Sequence, residues 1–267
     1  VGGFAAFVYG GLLLVGGAFA LLGVRPSTDL AYGNVAPAVA VALLASWTFT
    51  RLESRPLASV GLPGGARALT GLARGAALGL LLIGSVVLAF VLCGWLRWSG
   101  DAEPGSPLLG AASLTALLAG AAFVEELLFR GYPFQVLEAR FGAPVAISAT
   151  SLVFGALHAA NPNFAPLPAV NITLAGALLG VAYWRTRSLW FVTGLHLGWN
   201  WVMAVSELSV SGLPIDMPGY EPRLSGPVAW TGGAFGPEGG LLVTAVSILG
   251  TVWLWRSAAG RESLSRL

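Results

Sequence analysis

Glu125 and Glu126 stand side by side at the end of an apolar run, Leu114 to Val124, and Arg130 follows four residues after the second. A charged side chain inside a membrane span costs roughly 2.5–3.5 kcal/mol on insertion scales, so such residues are rare and mark function or a compensating partner. Glu126 and Arg130, at i and i+4, share one helix face and can form an ion pair. Glu125 is rotated about 100° from its neighbour at 3.6 residues per turn, so it is free to face another helix. The only two histidines of the chain lie in later apolar segments. His158 closes Phe154-Gly155-Ala156-Leu157-His158, and His196 precedes Asn200 by four residues, which puts each pair on one face.

These types suit hydrolysis. A carboxylate and an imidazole can hold a water molecule and accept its proton. An imidazole and a carboxamide opposite can donate hydrogen bonds to a developing oxyanion. No serine or cysteine nucleophile is required. The same Glu125, His158 and His196 could instead ligate a divalent metal such as zinc. The set is spread over three helices and has no His-Glu-x-x-His spacing, so metal-free water activation, with no cofactor required, is the preferred expectation.

The elements that must position these groups are membrane helices. The chain has 267 residues, 56% hydrophobic and 10% charged, with mean hydropathy +0.78; soluble domains carry about 25% charged residues. The expected fold class is all-α, a single transmembrane domain over 1–267. About eight spans are expected, at 4–24, 33–50, 70–96, 107–130, 143–160, 167–185, 188–207 and 238–256. The fourth is expected to continue towards Arg140 with a kink at Pro133. The first apolar run reads as a span rather than a signal peptide. Residues 51–74 read as a surface loop with a short amphipathic piece, and 209–237, with Pro214, Pro218, Pro222 and Pro227, as an irregular exterior loop. Ten Trp suit interfacial belts. The single Cys93 excludes an intrachain disulfide.

All fourteen basic residues are arginine. With a cytoplasmic N-terminus, the inner segments hold Arg51, Arg55, Arg67, Arg74, Arg130, Arg140, Arg185, Arg187, Arg256, Arg261 and Arg266, leaving Arg25, Arg97 and Arg223 outside; this bias favours both termini in the cytoplasm. The net charge of +2 reflects juxtamembrane arginine, not a nucleic-acid surface. Glu125 lies seventeen positions before Gly142 and His158 sixteen after it, so a helical hairpin brings them level about 25 Å from the turn. His196 lies about 13 Å from the start of its helix. The levels match if the hairpin projects about 10 Å, and all four groups could then meet in one cavity open to the inside.

In this order, Glu125-Glu126-Leu127-Leu128-Phe129-Arg130-Gly131, Phe154-x-x-x-His158 and His196-x-x-x-Asn200 resemble the motifs of the CPBP family of intramembrane proteases. That group contains type II CAAX prenyl endopeptidases and bacteriocin-processing or immunity proteins. The resemblance covers roughly 107–207. It implies Glu125 as general base, His158 as holder of the attacking water, and His196 with Asn200 on the oxyanion side. Glu126 and Arg130 carry over as the structural or substrate-positioning pair. The implied substrate is a membrane-associated peptide or protein in the lipid bilayer, and the composition resembles that of a prokaryotic, high-GC chain. Two other functions fit the polar residues: a proton-coupled carrier relaying through Glu125, His158 and His196, and a catalytically silent immunity protein of the same fold. The carrier is disfavoured by the lack of an internal repeat. A membrane aspartyl dyad is disfavoured because Asp29, Asp101 and Asp216 fall in expected loops.

Overall fold

The computed structural model describes residues 1–21, 28–99, 106–215 and 220–264. The chain runs through α1 (Gly2–Leu21), α2 (Thr28–Leu52), α3 (Ala66–Leu92), α4 (Pro107–Arg130), α5 (Tyr132–Phe141), α6 (Ala143–Leu157), α7 (Pro166–Thr186), α8 (Leu189–Val205), the single turn α9 (Val228–Thr231) and α10 (Leu241–Leu264). Every expected span has a counterpart. Among the described residues five helical stretches are long and apolar enough to cross a membrane. Large apolar side chains such as Leu81, Leu88, Leu92, Leu152, Leu157, Leu249 and Trp253 point outward. In water such a surface would aggregate; in lipid it is matched to its solvent. The molecule is an integral membrane protein of all-α class.

Several boundaries depart from the sequence reading. The third span starts at Ala66, so Arg67 and Arg74 belong to a helix and only residues 53–65 form the loop, with a short 3-10 turn at Leu57–Val60. It also ends at Leu92, not at 96. Beyond it, β1 (Leu96–Ser99) pairs antiparallel with β2 (Glu221–Leu224). The segment 209–237 is therefore not irregular throughout: besides β2 it holds α9 and tight turns at Gly233–Phe235 and Pro237–Gly239. The fourth span does continue past Arg140, to Phe141, but it is interrupted at Gly131. Pro133 has no N–H to offer the Phe129 carbonyl, and a Cβ on Gly131 would lie 2.3 Å from the Leu127 carbonyl oxygen. A new helix, α5, starts at Tyr132. Asp29 sits in the first turn of α2 rather than in a loop; Asp101, Asp216 and Arg25 lie outside the described residues.

The α3–α8 interface fixes the scaffold. Gly75 and Gly79 on α3 face Gly194 and Gly198 on α8, each pair four residues apart. A Cβ on Gly75 would fall 1.9 Å from the Phe191 carbonyl oxygen, and one on Gly194 2.1 Å from that of Leu72. The backbones thus touch directly, as small residues at four-residue spacing allow in a membrane, where close packing rather than the hydrophobic effect drives association. His196 stands between Gly194 and Gly198, so its helix has little freedom to slide. At the other side, α5 ties the end of α4 to the 53–60 loop and to α7. Tyr132 donates to Glu53 (2.6 Å), Gln135 donates to the Ser59 carbonyl and Tyr183 hydroxyl, and Glu138 holds Arg187.

Candidate active site

Glu126 and Arg130 form the expected ion pair, at 3.1 Å, with both side chains fully buried. The pair is more than a local helix contact. The same Glu126 oxygen lies 2.9 Å from His196 Nδ1 on α8. The second Arg130 terminal nitrogen donates to the Gly176 carbonyl on α7 at 2.8 Å. The guanidinium also covers the Phe154 ring on α6 at 4.9 Å. One i, i+4 pair therefore joins α4 to α6, α7 and α8. Removing one member of such a pair leaves a buried charge uncompensated, at a cost of about 3–5 kcal/mol.

Glu125 points away from this hub, as its 100° offset requires. It is half-buried, yet its Oε2 is shielded and lacks a hydrogen-bond partner among the described residues. That oxygen lies 3.9 Å from His196 Nε2. The separation is too long for a direct hydrogen bond and short enough for one small oxygen-bearing group to touch both. His196 is thus flanked by two carboxylates, one on each ring nitrogen. A carboxylate oxygen cannot donate, so Nδ1 carries the proton in the bond to Glu126.

His158 is the last residue attached to α6, where the chain tightens into a 3-10 turn over His158–Ala160 before the turn at Asn161-Pro162-Asn163. Its Nδ1 lies 2.8 Å from the Phe154 carbonyl. A carbonyl accepts only, so Nδ1 carries a proton, and in the neutral ring Nε2 is the nitrogen with the lone pair. The Phe154 ring centroid lies 4.7 Å from that of His158 and 6.1 Å from that of His196. Phe154 therefore contacts both imidazoles, lying tilted against His158 and edge-on to His196. Asn200, one turn beyond His196, is half-buried and lines with it a cavity bounded also by Phe154, Trp199, Ser211 and Glu238. Among the described residues no three His, Cys, Asp or Glu side chains gather as a metal site.

Sequence reasoning missed Glu238. Its buried carboxylate accepts from Trp199 Nε1 at 3.0 Å and from both the backbone N–H and hydroxyl of Ser211, at 2.7 and 2.9 Å. Its carbonyl accepts from the Asn171 amide on α7. The acid thus pins the 206–240 segment against α7 and α8 beside the cavity. Nothing in its spacing announces this, since its partners lie 27 and 39 residues away. Trp201 Nε1 donates to the Thr115 hydroxyl on α4 at 2.9 Å.

Residues 107–202, from the start of α4 into α8, match the family model described as type II CAAX prenyl endopeptidase Rce1-like. No curated protein and no solved structure matches the chain.

Proposed function

We propose, from the premise that residues 107–202 form a Rce1-like CAAX protease domain, that the protein cleaves a membrane-associated peptide or protein with a water molecule activated by Glu125. The observation that carries this reading is the inward-turned Glu125 oxygen, unpartnered and 3.9 Å from His196 Nε2. A carboxylate so placed can accept a proton from water while the resulting hydroxide attacks the scissile carbonyl. His158, with its Nδ1 proton committed to Phe154, offers Nε2 as acceptor for the second water proton and so orients the oxygen. As the carbonyl becomes tetrahedral, its oxygen takes up negative charge. The Asn200 carboxamide and His196 serve as donors there. In this reading His196 carries a proton on both ring nitrogens, Nδ1 donating to Glu126 and Nε2 left to donate to the oxyanion. Preorganised donors of this kind contribute a few kcal/mol in a low-dielectric site. Glu125 then returns its proton to the leaving amine.

Glu126 and Arg130 act through position: they hold the His196 ring in one orientation and stay outside the reacting atoms. Every step is assigned to the chain's own residues, and cleavage is expected to survive exhaustive chelation; loss of cleavage on chelation would assign a metal to the site. Both termini are placed in the cytoplasm of a prokaryotic cell on the arginine bias and composition. The substrate is the natural target of experiment: membranes carrying the wild type and Glu125→Gln are compared by quantitative proteomics. A peptide or protein that persists uncut only with Glu125→Gln supports the assignment. Identical membrane proteomes, together with proton-coupled uptake into liposomes, would favour the carrier instead.

A further inference from the structure

We infer that the bundle carries, away from the candidate active site, a binding site for a phosphate-bearing anion, formed where the start of α3 meets the start of α8. A groove of about 470 Å³ opens there, lined by Pro63, Arg67, Thr70, Arg74, Arg187 and Ser188 among others, and no carboxylate lines it. Arg67, Thr70, Gly71 and Arg74 fall at i, i+3, i+4 and i+7 of α3, so they form one stripe along its face. Arg67 and Arg74 are both exposed. Arg187 is already held by Glu138, through two bonds of 2.5 and 2.6 Å. The positive charge offered to a ligand is therefore that of the two α3 arginines.

The groove has a polar floor. A Cβ on Gly71 would meet Ser188 Oγ at 3.1 Å, so glycine lets the first turn of α8 lie close under the stripe. Ser188 Oγ accepts from the Phe191 N–H at 3.2 Å, which leaves its own proton to donate into the groove. The rim is fixed by Trp190, whose Nε1 donates to the Pro63 carbonyl at 2.9 Å. Two guanidinium forks and a hydroxyl on a shaped floor match the oxygens of a phosphate.

Depth points to the same ligand. The apolar stretch of α3 starts at Ala66, and Arg67 and Arg74 are separated by about 10 Å along the helix. The headgroup layer is about 5–7 Å thick on each side of the hydrocarbon. The two arginines thus span more than this layer: with Arg67 at its water side, Arg74 reaches the edge of the hydrocarbon, where an unneutralised charge is costly and an anionic headgroup relieves it. The shared chemistry is a phosphate monoester or diester, supplied by an anionic lipid or by a soluble phosphate.

The test uses the purified full chain in a neutral detergent. Dioctanoyl-phosphatidylglycerol, dioctanoyl-phosphatidylcholine and inorganic phosphate are titrated while the thermal midpoint and lipid retention by native mass spectrometry are read. Phosphatidylglycerol is expected to raise the midpoint and remain bound, phosphatidylcholine to do neither. Arg67→Gln/Arg74→Gln should weaken phosphatidylglycerol binding roughly tenfold or more, and Arg51→Gln, an exposed arginine outside the groove, should leave it unchanged. If the double variant does not melt cooperatively, each single variant is read instead, with an expected loss of about fivefold. A response to inorganic phosphate but not to the lipid, still lost in the double variant, assigns the site to a soluble phosphate. Equal responses to both lipids with none to phosphate, or an equal loss in Arg51→Gln, would overturn the site.

Discussion

One oxygen of Glu126 takes hydrogen bonds from two helices at once: His196 Nδ1 at 2.9 Å and the Arg130 guanidinium at 3.1 Å. The pair therefore sets the orientation of an imidazole 70 residues away in sequence. Glu126→Gln should lower stability by about 3–5 kcal/mol, because Arg130 stays buried without its counter-charge. Replacing both residues, as in Glu126→Leu/Arg130→Met, should restore much of the thermal midpoint, since a buried pair is often exchanged for apolar residues at little cost. Cleavage should remain impaired in the double variant, because His196 has lost its acceptor. Melting curves beside cleavage rates separate the two effects; recovery of full activity in the double variant would make the pair purely structural.

The α3–α8 contact predicts a long-range effect. Gly75→Ala places a methyl 1.9 Å from the Phe191 carbonyl oxygen, against backbone that cannot yield by a rotamer change. The helices must separate, at a cost of at least about 1–3 kcal/mol, and His196 moves with α8. Gly84→Ala, on the same helix with nothing within 4 Å of the added carbon, should be neutral or stabilising by up to about 1 kcal/mol. Thermal midpoints of the two variants check this, and equal midpoints would show that the close contact carries no weight.

Much of this was legible in sequence because it is written at helical spacing. The eight apolar runs, the Glu126–Arg130 pair and the shared faces of Phe154 with His158 and of His196 with Asn200 all follow from a 3.6-residue period. What could not be read lies between distant segments. The Glu126–His196 bond depends on how α4 meets α8, a contact between side chains 70 residues apart that no local spacing encodes. The end of α4 at Gly131 was hidden because Pro133 alone permits either a kink or a stop. Glu238 was passed over because it stands in a Gly- and Pro-rich stretch that resembles an exposed turn, whereas three donors bury it.

That acid yields its own prediction. In Glu238→Gln one acceptor oxygen becomes an amide NH2, facing either the indole N–H or the donors of Ser211. At least one buried donor then loses its partner, a loss of about 1–3 kcal/mol. Hydrogen exchange should rise at Ser206–Gly212, where the segment is held to Glu238. Unchanged exchange there would remove the anchoring role.

The 53–60 loop has a predictable pH response. The Tyr132 hydroxyl bonded to Glu53 holds that carboxyl below its ordinary range; burial opposes this, and Arg55 adds to the lowering. A carboxyl depressed in the folded state contributes stability above its unfolded value and loses it as pH falls through the folded one. The wild type should therefore lose more stability on acidification through the carboxylate range than Tyr132→Phe does. Parallel pH–midpoint curves for the two proteins would contradict this.

The central claim is that Glu125 activates the attacking water. Glu125→Gln preserves shape and removes only the base, so the purified variant should fold with a thermal midpoint close to the wild type. Its rate of peptide cleavage, measured on a substrate recovered from the membrane comparison, should fall by about 10²–10⁴-fold. A folded Glu125→Gln protein that cleaves this substrate at the wild-type rate would contradict the mechanism.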